Sequence, residues 1–407
     1  MKRWIAVIAM CLVAWPSPLR AGWQIRPQLT GPLGTARARH TAVALLDGRV
    51  LAVGGFEVRI LPLPGVHVHK TAELFDPAAG TWSASTATMS SPRWDHEAVT
   101  LLDGRVLLAG GKTNFRKNTG TYTRSTELYD PVSDRFTPGP DMNAARAEFT
   151  ATRLDDGRVV LAGGRDAQVF DPRTNSFTAT IQLRVARSAH SAVSLGGSRV
   201  LLVGGESTAA GRSAEVIDVA KGVSRQLSVR MNPPINDLSL ARLPNGNVLV
   251  AAGQRSDDGR TVDTAQVIQF AGRGEASYLH PVAARMDAKS GASDMVCFAF
   301  GPLVLLAGGE ADLGDTDAII ERAWLFDAAS EQFVASAKMQ RPHDDFAGAP
   351  LAPDLFGRPR VLLTGGLTPD PEFSERPQIE CEILTLCPDA ALPPPATIAA
   401  SGMAIVN

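Results

Sequence analysis

Four arginines recur at one place in a repeated pattern. They are Arg37, Arg93, Arg146 and Arg187, and each stands four residues after Leu33, Met89, Met142 or Leu183. In later units the same place holds Ile235, Ser290 and His343. Guanidinium groups bind carboxylates and phosphates through paired hydrogen bonds, so four near one opening would suit an acidic ligand. The alternative is that each arginine pairs with a repeated glutamate, Glu73, Glu127 or Glu215, and pins neighbouring units together.

Histidines and aspartates offer weaker candidates for chemistry. His40, His96 and His190 follow three of the arginines by three residues, and Phe149 and Leu238 take that place elsewhere. The apolar substitutes favour packing or hydrogen bonding between units over metal ligation. Two further groups could hold a cation, His67-Val-His69 and the acidic loop with Asp312, Asp315 and Asp317. Neither group has a full ligand set, so we predict no metal site and no cofactor.

A unit of about 50 residues carries these groups and is repeated seven times. Each unit has a short apolar run that ends at a glycine doublet, or at Ala252-Gly253 in the fifth unit. Turn residues such as Asp47-Gly48 and Asn245-Gly246 come before the runs, as in two-residue hairpins. The first glycines of the doublets are Gly54, Gly110, Gly163, Gly204, Gly308 and Gly365. The runs therefore predict buried strands.

The rest of each unit predicts two more strands. Ala72–Pro77 recurs as Thr126–Pro131 and Ala167–Pro172, and a later aromatic opens another short strand at Trp82, Phe136, Phe177 and Phe333. No segment shows a sustained helical period. Each unit is predicted to hold four short antiparallel strands, and the fold class is all-β.

The repeated unit resembles the kelch repeat. Its features come in one register: a hairpin turn, the glycine doublet, the Glu-x-aromatic-Asp-Pro segment and a later aromatic residue. The resemblance covers residues 22–387 and implies a seven-bladed β-propeller. It places the blades at about 30–87, 88–140, 141–182, 183–228, 229–282, 283–337 and 338–387, the last completed by 22–29. Kelch domains of ubiquitin-ligase adaptors hold acidic peptides with arginines at the start of the first strand, where Arg37, Arg93, Arg146 and Arg187 stand here.

Ring closure can be predicted from the last unit. It supplies three strands, near Phe346–Ala352, Arg360–Thr364 and Cys381–Leu386, and lacks a good fourth. Trp23–Leu29 has the pattern of a fourth strand, with an aromatic six residues before an apolar residue. We expect it to close the ring. Thr397–Val406 is the rival candidate.

Strand direction separates two faces of the predicted ring. The turns between strands one and two, and between three and four, are short and form the short-turn face. The connections between strands two and three, and between blades, form the long-loop face. Variable loops on a rigid scaffold commonly carry binding sites, so we place the site on the long-loop face. Trp94, Phe115, Tyr122 and Phe56 are candidate contact aromatics there.

Composition excludes several classes of protein. The 407 residues carry a net charge of −2, which argues against a generally basic nucleic-acid binder. At 44% hydrophobic residues the chain can bury a large core, so wholesale disorder is excluded. No apolar run is long enough to span a membrane comfortably.

The first residues predict export. Lys2 and Arg3 precede an apolar run from Trp4 to Trp15, and small residues follow at Ala21-Gly22. This is the pattern of a signal peptide at 1–21, and it predicts a periplasmic or extracellular location. Removal of the signal peptide would take away Cys11 and leave Cys297, Cys381 and Cys387, either as three thiols or with one disulfide among them. Residues 388–407 form a proline-rich tail.

We therefore expect an exported monomer that binds a protein or glycan partner rather than an enzyme. The alternative is a carbohydrate-active enzyme of the sialic-acid mutarotase or isomerase type, with the arginines and Glu310 or Asp345 as acid and base. Copper oxidases of the galactose-oxidase kind need Tyr, Cys and His around a radical site. The chain has three tyrosines, Tyr122, Tyr129 and Tyr278, so we rank that activity below mutarotation.

Overall fold

The computed structural model describes residues 22–59, 65–115, 120–271, 275–282, 286, 291–312, 317–370 and 374–388. These residues form a ring of seven antiparallel sheets, which confirms the predicted all-β seven-bladed propeller. In the described ranges, helix is limited to Thr208–Gly211, and no helix has the length and apolar character to cross a bilayer. The predicted leader at 1–21 and tail residues 389–407 lie outside the described residues.

The strands of the first four blades follow each other from the channel outward. Blade one is Thr41–Ala44, Val50–Val53, Thr71–Asp76 and Thr81–Thr88. Blade two is Glu97–Thr100, Val106–Ala109, Thr126–Asp130 and Arg135–Pro138. Blade three is Thr150–Arg153, Val159–Asp171 and Ser176–Arg187, with the second and third strands contiguous. Blade four is Ser191–Gly196, Arg199–Val203, Ser213–Asp218 and Val223–Arg230.

The remaining blades keep this order. Blade five is Ser239–Arg242, Val248–Ala251, Ala265–Ala271 and Glu275–Pro281. Blade six is Val296–Phe300, Leu303–Ala307, Arg322–Asp327 and Gln332–Lys338. Blade seven is Ala347–Leu351, Arg360–Thr364, Cys381–Pro388 and Trp23–Thr30. Small hairpins in the long loops pair Phe56–Arg59 with Gly65–Val68, Glu310–Asp312 with Asp317–Ile319, and Leu367–Asp370 with Ser374–Pro377. Ile235–Asn236, before the first strand of blade five, pairs with Gln254–Arg255, after its second strand.

The core consists of one apolar cluster at each of the seven contacts between neighbouring blades. The second strand of each blade contributes to two of them. In blade one, Val50 and Ala52 pack toward blade seven, while Leu51 and Val53 pack toward blade two. Both faces of this strand are buried, which explains why its sequence is apolar at every position instead of alternating.

The N-terminal strand closes the ring, as predicted. Trp23–Thr30 pairs antiparallel with Cys381–Pro388 along its whole length and becomes the outermost strand of blade seven. Ile25 is 6% exposed and packs in the cluster between blades six and seven. The chain thereby joins its first and last described strands in one sheet. Cys381 and Cys387 lie at opposite ends of their strand, and these two and Cys297 are unpaired thiols.

The glycine doublets are required by the close approach of the loops that enter the same blade and the next one. Gly54 and Gly55 have φ values of +70° and +83°. A Cβ atom on Gly54 would lie 2.5 Å from the carbonyl oxygen of Arg93, and one on Gly55 would lie 2.7 Å from that of Ala38. Only glycine combines this backbone conformation with that contact.

Candidate functional site

The four repeated arginines are buried and link neighbouring blades. We term them the staple arginines, and the same place in each blade the staple position. The amide of Arg93 donates to the carbonyl of His69 at 3.1 Å, and its carbonyl accepts from the amide of Gly55 at 2.9 Å, both in blade one. Its guanidinium donates to the carbonyl of Gly110 at 3.0 Å and to the carboxylate of Glu127 at 2.8 Å, both in blade two. One residue therefore ties two blades together.

The other arginines repeat this arrangement. The ion pairs are Arg37–Glu73 at 3.1 Å, Arg146–Asp166 at 2.9 Å and Arg187–Glu215 at 3.3 Å. All four arginines are at most 7% exposed. In blade three Gln168 stands where other blades have glutamate, and Asp166 supplies the carboxylate instead. This geometry matches the alternative in which the arginines pin the units, and it leaves their guanidiniums engaged inside the protein.

The later staple positions carry no arginine. His343 is fully buried, with Nδ1 2.9 Å from the carbonyl oxygen of Gly365 and Nε2 3.8 Å from Glu382. Ser290, predicted for blade six, lies outside the described residues, and Ala292 occupies the position instead. Its carbonyl accepts from the amide of Gly253 at 2.7 Å, just as the carbonyl of Arg93 accepts from Gly55. In this blade the position predicted from the spacing of the repeats is therefore two residues too early in the chain.

The repeated histidines bond between blades, as predicted. Their Nε2 atoms contact threonine hydroxyls of the preceding blade, in the pairs His40–Thr364 at 2.6 Å, His96–Thr41 at 3.0 Å and His190–Thr150 at 3.2 Å. Burial, reinforced by the neighbouring staple arginine, lowers the pKa of His40 and His190 to about 3 and that of His96 well below its ordinary value. These imidazoles are therefore neutral structural groups.

One residue per blade, two positions after the staple, surrounds the channel on the long-loop face. We term these seven residues the mouth ring, namely Arg39, Asp95, Glu148, Ala189, Asp237, Asp294 and Asp345. All have φ between +46° and +55°, and five backbone hydrogen bonds of 2.8–3.3 Å join neighbouring members. Because Ala189 shares this conformation, the strain belongs to the propeller architecture rather than to a particular chemistry.

Two cations neutralise one side of the mouth ring. Arg39 lies 2.6 Å from Asp345 and 3.6 Å from Asp95. Lys112 lies 2.9 Å from Asp95 and 2.8 Å from Glu148. Burial alone would lower the pKa of Lys112, but the carboxylates of Asp95 and Glu148 raise it, so the ammonium stays charged.

The other side of the mouth ring holds carboxyl groups that have no cationic partner within the described residues. Among the described residues, no cation lies within ion-pair distance of Asp237, Asp294 or the neighbouring Asp344. Burial, together with the nearby carboxylates, raises the pKa of Asp237 to about 6 and that of Asp344 to about 9. The pKa of Asp294 is also raised, by burial and then by Asp237 and Asp345. Asp344 is 3% exposed, and its Oδ1 has no hydrogen-bond partner among the described residues. We term Asp237, Asp294 and Asp344 the acidic arc.

The mouth ring opens into a cavity of about 410 Å³ along the channel. Glu148, Ala189 and Asp237 line its rim, and Glu97 and Cys297 lie on its walls. Glu97 is half-buried, and burial raises the pKa of its carboxyl to about 8. The channel therefore adds another carboxyl to the acidic mouth instead of compensating its charge.

We expect Glu97→Gln to stabilise the protein at high pH and to leave it unchanged near pH 4. The folded-state pKa of Glu97 lies above its ordinary value of 4.5, so its ionisation costs stability as pH rises from 4.5 through 8. The gain at pH 9 should be about 1–3 kcal/mol, since channel water screens part of the cost. Urea denaturation at both pH values measures it. Glu321→Gln, at an exposed ion pair with Lys338, is the control, and equal pH dependence in wild type and Glu97→Gln would contradict this account.

An aromatic cluster adjoins the mouth ring on blades one and two. The ring centroids of Phe56, Trp94 and Phe115 lie 4.9–5.6 Å apart, and Lys112 Nζ lies 4.5 Å from that of Trp94. Trp94 is 3% exposed and Phe115 is half-buried, whereas Tyr122 is 52% exposed beside Lys112. Tyr122 is therefore the most exposed of the predicted contact aromatics, while Trp94 packs beneath the loop.

Similarity to known proteins agrees with this architecture. A family model described as the kelch motif matches residues 98–143, which lie in blade two and the connection after it. A kelch-like protein, terF, of Aspergillus terreus is 29% identical over 152 residues, which are 36% of this chain and 32% of that protein. A galactose oxidase of Gibberella zeae is 31% identical over 91 residues, 22% of this chain and 12% of the oxidase. The chain thus spans about a third or less of the curated relatives that it matches.

Among solved structures, a copper-bound fungal alcohol oxidase of the AA5 family superposes with a TM-score of 0.66. Its sequence is 15% identical, and the superposed region includes 90% of this chain and 76% of the oxidase chain. A similarity at this level concerns the fold alone. The kelch motif and the kelch-like relative agree with the repeats of the sequence and with the seven-bladed propeller of the structure.

These relatives correct the expectation about catalysis. We expected binding rather than an enzyme, and a mutarotase or isomerase before a copper oxidase. The relatives with a named activity are oxidases, so that ranking is wrong.

The described residues do not assemble the Tyr, Cys and His set of a copper-radical oxidase. The hydroxyl of Tyr129 donates to Asp134 at 2.9 Å, in a turn of the short-turn face, while Tyr122 lies on the long-loop face. Cys381 and Cys387 are buried in blade seven, and Cys297 lies in blade six. We therefore derive no copper-dependent step.

Proposed function

We propose that this kelch propeller binds a protein partner through a lysine- or arginine-rich segment that enters the mouth ring. The observation that carries the proposal is the acidic arc. The backbone amide of Asp294 donates to the carbonyl of Asp237 at 3.3 Å, Asp237 contributes to the raised pKa of Asp294, and Asp294 contributes to that of Asp344. A cation placed there would lower these pKa values, favour the ionised carboxylates and form charge-assisted hydrogen bonds with them. The proposal reverses the charge of the ligand suggested by the repeated arginines.

Arg39 illustrates the contact that we propose. Its guanidinium is held between two carboxylates of the same ring, Asp345 and Asp95. A guanidinium or ammonium from a partner would take the corresponding place between Asp237 and Asp294. The cavity of about 410 Å³ behind the ring has room for one or two long side chains, and Glu97 would meet their ends.

Other features of the long-loop face support a protein partner. Tyr122 is an exposed aromatic at the rim, a residue type enriched at energetically important contacts. The kelch motif is consistent with partner binding. We also propose that the protein works outside the cytoplasm, on the basis of the leader-like pattern at 1–21.

We expect Asp237→Asn/Asp294→Asn to weaken binding of a cationic peptide at least tenfold. The probe is a fluorescein-labelled, amidated hexa-arginine peptide, titrated by fluorescence anisotropy at pH 7.5 and fixed ionic strength. Asparagine tolerates the left-handed backbone of the mouth ring, so the substitutions remove charge without straining the loops. Loss of two partner carboxylates should cost at least about 1.4 kcal/mol, which is a factor of ten.

Asp141→Asn/Glu321→Gln is the matched control, because it removes the same charge from exposed ion pairs with Arg124 and Lys338. The affinity of this control variant for the hexa-arginine peptide should stay within about twofold of the wild-type affinity. An equal loss in both double variants would show that the peptide senses only net charge, and the proposal would then be abandoned.

Oxidation of a primary alcohol is the second candidate function. The galactose oxidase relative favours it, although that similarity covers 22% of this chain. Peroxide release from galactose and simple primary alcohols by copper-treated protein would test it directly.

A further inference from the structure

We propose that Glu57, His67 and His69 form a site for one divalent transition-metal ion, of the zinc or copper class. Glu57 and His67 lie on the small hairpin in the long loop of blade one, and His69 directly follows it. Their ligand atoms, one per residue, all fall within 4.8 Å of one another. This site is separate from the mouth ring and goes beyond the proposed binding function.

The register of the hairpin brings the third ligand to the pair. Phe56–Arg59 pairs with Gly65–Val68, and Glu57 stands directly opposite His67. The Nδ1 atom of His67 lies 3.8 Å from Oε1 of Glu57. His69 follows His67 by two residues, and the two imidazole centroids lie 5.1 Å apart.

His69 is positioned as metal-binding histidines commonly are. Its Nε2 lies 3.2 Å from the carbonyl oxygen of Ala36, and a carbonyl can only accept, so Nε2 carries the proton. That tautomer puts the lone pair on Nδ1. A hydrogen bond from the second ring nitrogen to a carbonyl is the usual way in which a protein orients a ligating imidazole.

The surroundings combine a fixed ligand with a movable one. His69 is 2% exposed, and its backbone is held by the carbonyl of Gly55 at 2.8 Å and by the amide of Arg93 at 3.1 Å. The side chain of His67 is 51% exposed. Ligands bound at about 2.0–2.2 Å from one ion lie about 3–3.5 Å apart, so a small rotation of His67 would complete the site.

The ligand set decides the kind of ion. Two imidazoles and one carboxylate suit zinc or copper, whereas calcium and magnesium prefer sets of oxygens. Three protein ligands with one side open to solvent leave a fourth position for water or for a small ligand. Neither the histidine pair nor the glutamate predicts the site alone, because they meet only through strand pairing.

The test uses the chain purified without a polyhistidine tag and dialysed against EDTA. Calorimetric titration with ZnCl2 should show one saturable site per chain, and MgCl2 should show none. His67→Ala and Glu57→Gln should each weaken zinc binding at least tenfold. His67 is exposed, so His67→Ala should melt like wild type without metal. His280→Ala, which removes another partly exposed histidine, should bind zinc like wild type.

Copper provides an independent readout of the ligands. The electron paramagnetic resonance spectrum of the Cu²⁺-loaded chain should show coupling to two nitrogens in wild type and to fewer in His67→Ala. No saturable zinc binding in wild type would overturn the proposal, as would unchanged affinity in His67→Ala and Glu57→Gln. Loss of binding in His280→Ala alone would also overturn it. None of these results depends on peptide binding at the mouth ring.

Discussion

Replacing Arg93 by alanine should lower the free energy of unfolding by about 3–5 kcal/mol. The substitution leaves Glu127, which is 2% exposed, as an uncompensated buried charge. It also removes the donor to the carbonyls of Gly110 and Ser125, at 3.0 and 3.2 Å. Since the backbone of Arg93 belongs to the contact with blade one, the loss falls on the joint between two blades. Equilibrium urea denaturation measures it.

Two further arginines provide the controls for this prediction. Arg124→Ala breaks an exposed ion pair with Asp141, and should cost less than about 1 kcal/mol. Arg146→Ala should fall between the two, because the side chain of its partner Asp166 is 18% exposed and can be solvated. If Arg93→Ala melted like wild type, Arg93 would not be a staple and would again be a candidate ligand group.

The second large effect concerns the strand that closes the ring. Ile25→Ala should cost about 2–4 kcal/mol, because Ile25 is 6% exposed and its truncation leaves a cavity between blades six and seven. Leu29→Ala, on the same strand, is the matched control. Leu29 is 44% exposed, so its loss should stay near about 0.5 kcal/mol. Thermal melting of both variants gives the comparison.

Deletion of residues 23–30 should have a still larger effect. It exposes the edge of Cys381–Pro388 and removes eight paired residues of the sheet. We expect this truncated chain to fold poorly and to recover when a synthetic peptide of residues 23–30 is added. A truncated chain that melts like the full chain, or equal small losses in Ile25→Ala and Leu29→Ala, would contradict the closure.

The blades could be predicted because each second strand is buried on both faces. Such a strand must be apolar at four consecutive positions, as in Val50–Val53. It must also end at two glycines, because a side chain there would collide with the backbone of the adjoining loops. The closing strand could be predicted because blade seven lacks a partner for Cys381–Pro388, and a sheet edge needs cover. Both signals are local in sequence and repeat in register.

The mouth ring could not be found in the same way. Its members share a backbone conformation and a position, while their side chains range from Arg39 through Ala189 to Asp294. A search for one recurring residue type finds the staple arginines, which hold the blades together, and passes over the variable position two residues later. A repeated residue in a repeat protein serves what all units share, whereas a site specific to one ligand varies from unit to unit.

Two other features depend on register that the sequence does not reveal. Glu57 meets His67 only because the small hairpin pairs them. In blade six the staple position falls on Ala292 rather than on Ser290, because six residues instead of four separate it from Met286, whose amide bonds in the preceding blade as that of Met89 does.

Carboxyl footprinting tests the central claim most directly, namely that the mouth ring is where a cationic segment binds. Carbodiimide and glycine ethyl ester label accessible carboxylates, and mass spectrometry reads each one with and without saturating amidated hexa-arginine peptide. We predict protection of Asp237 and Asp294, with unchanged labelling of Asp47 and Asp103 on the short-turn face. Protection confined to the short-turn face, or spread equally over both faces, would contradict the account.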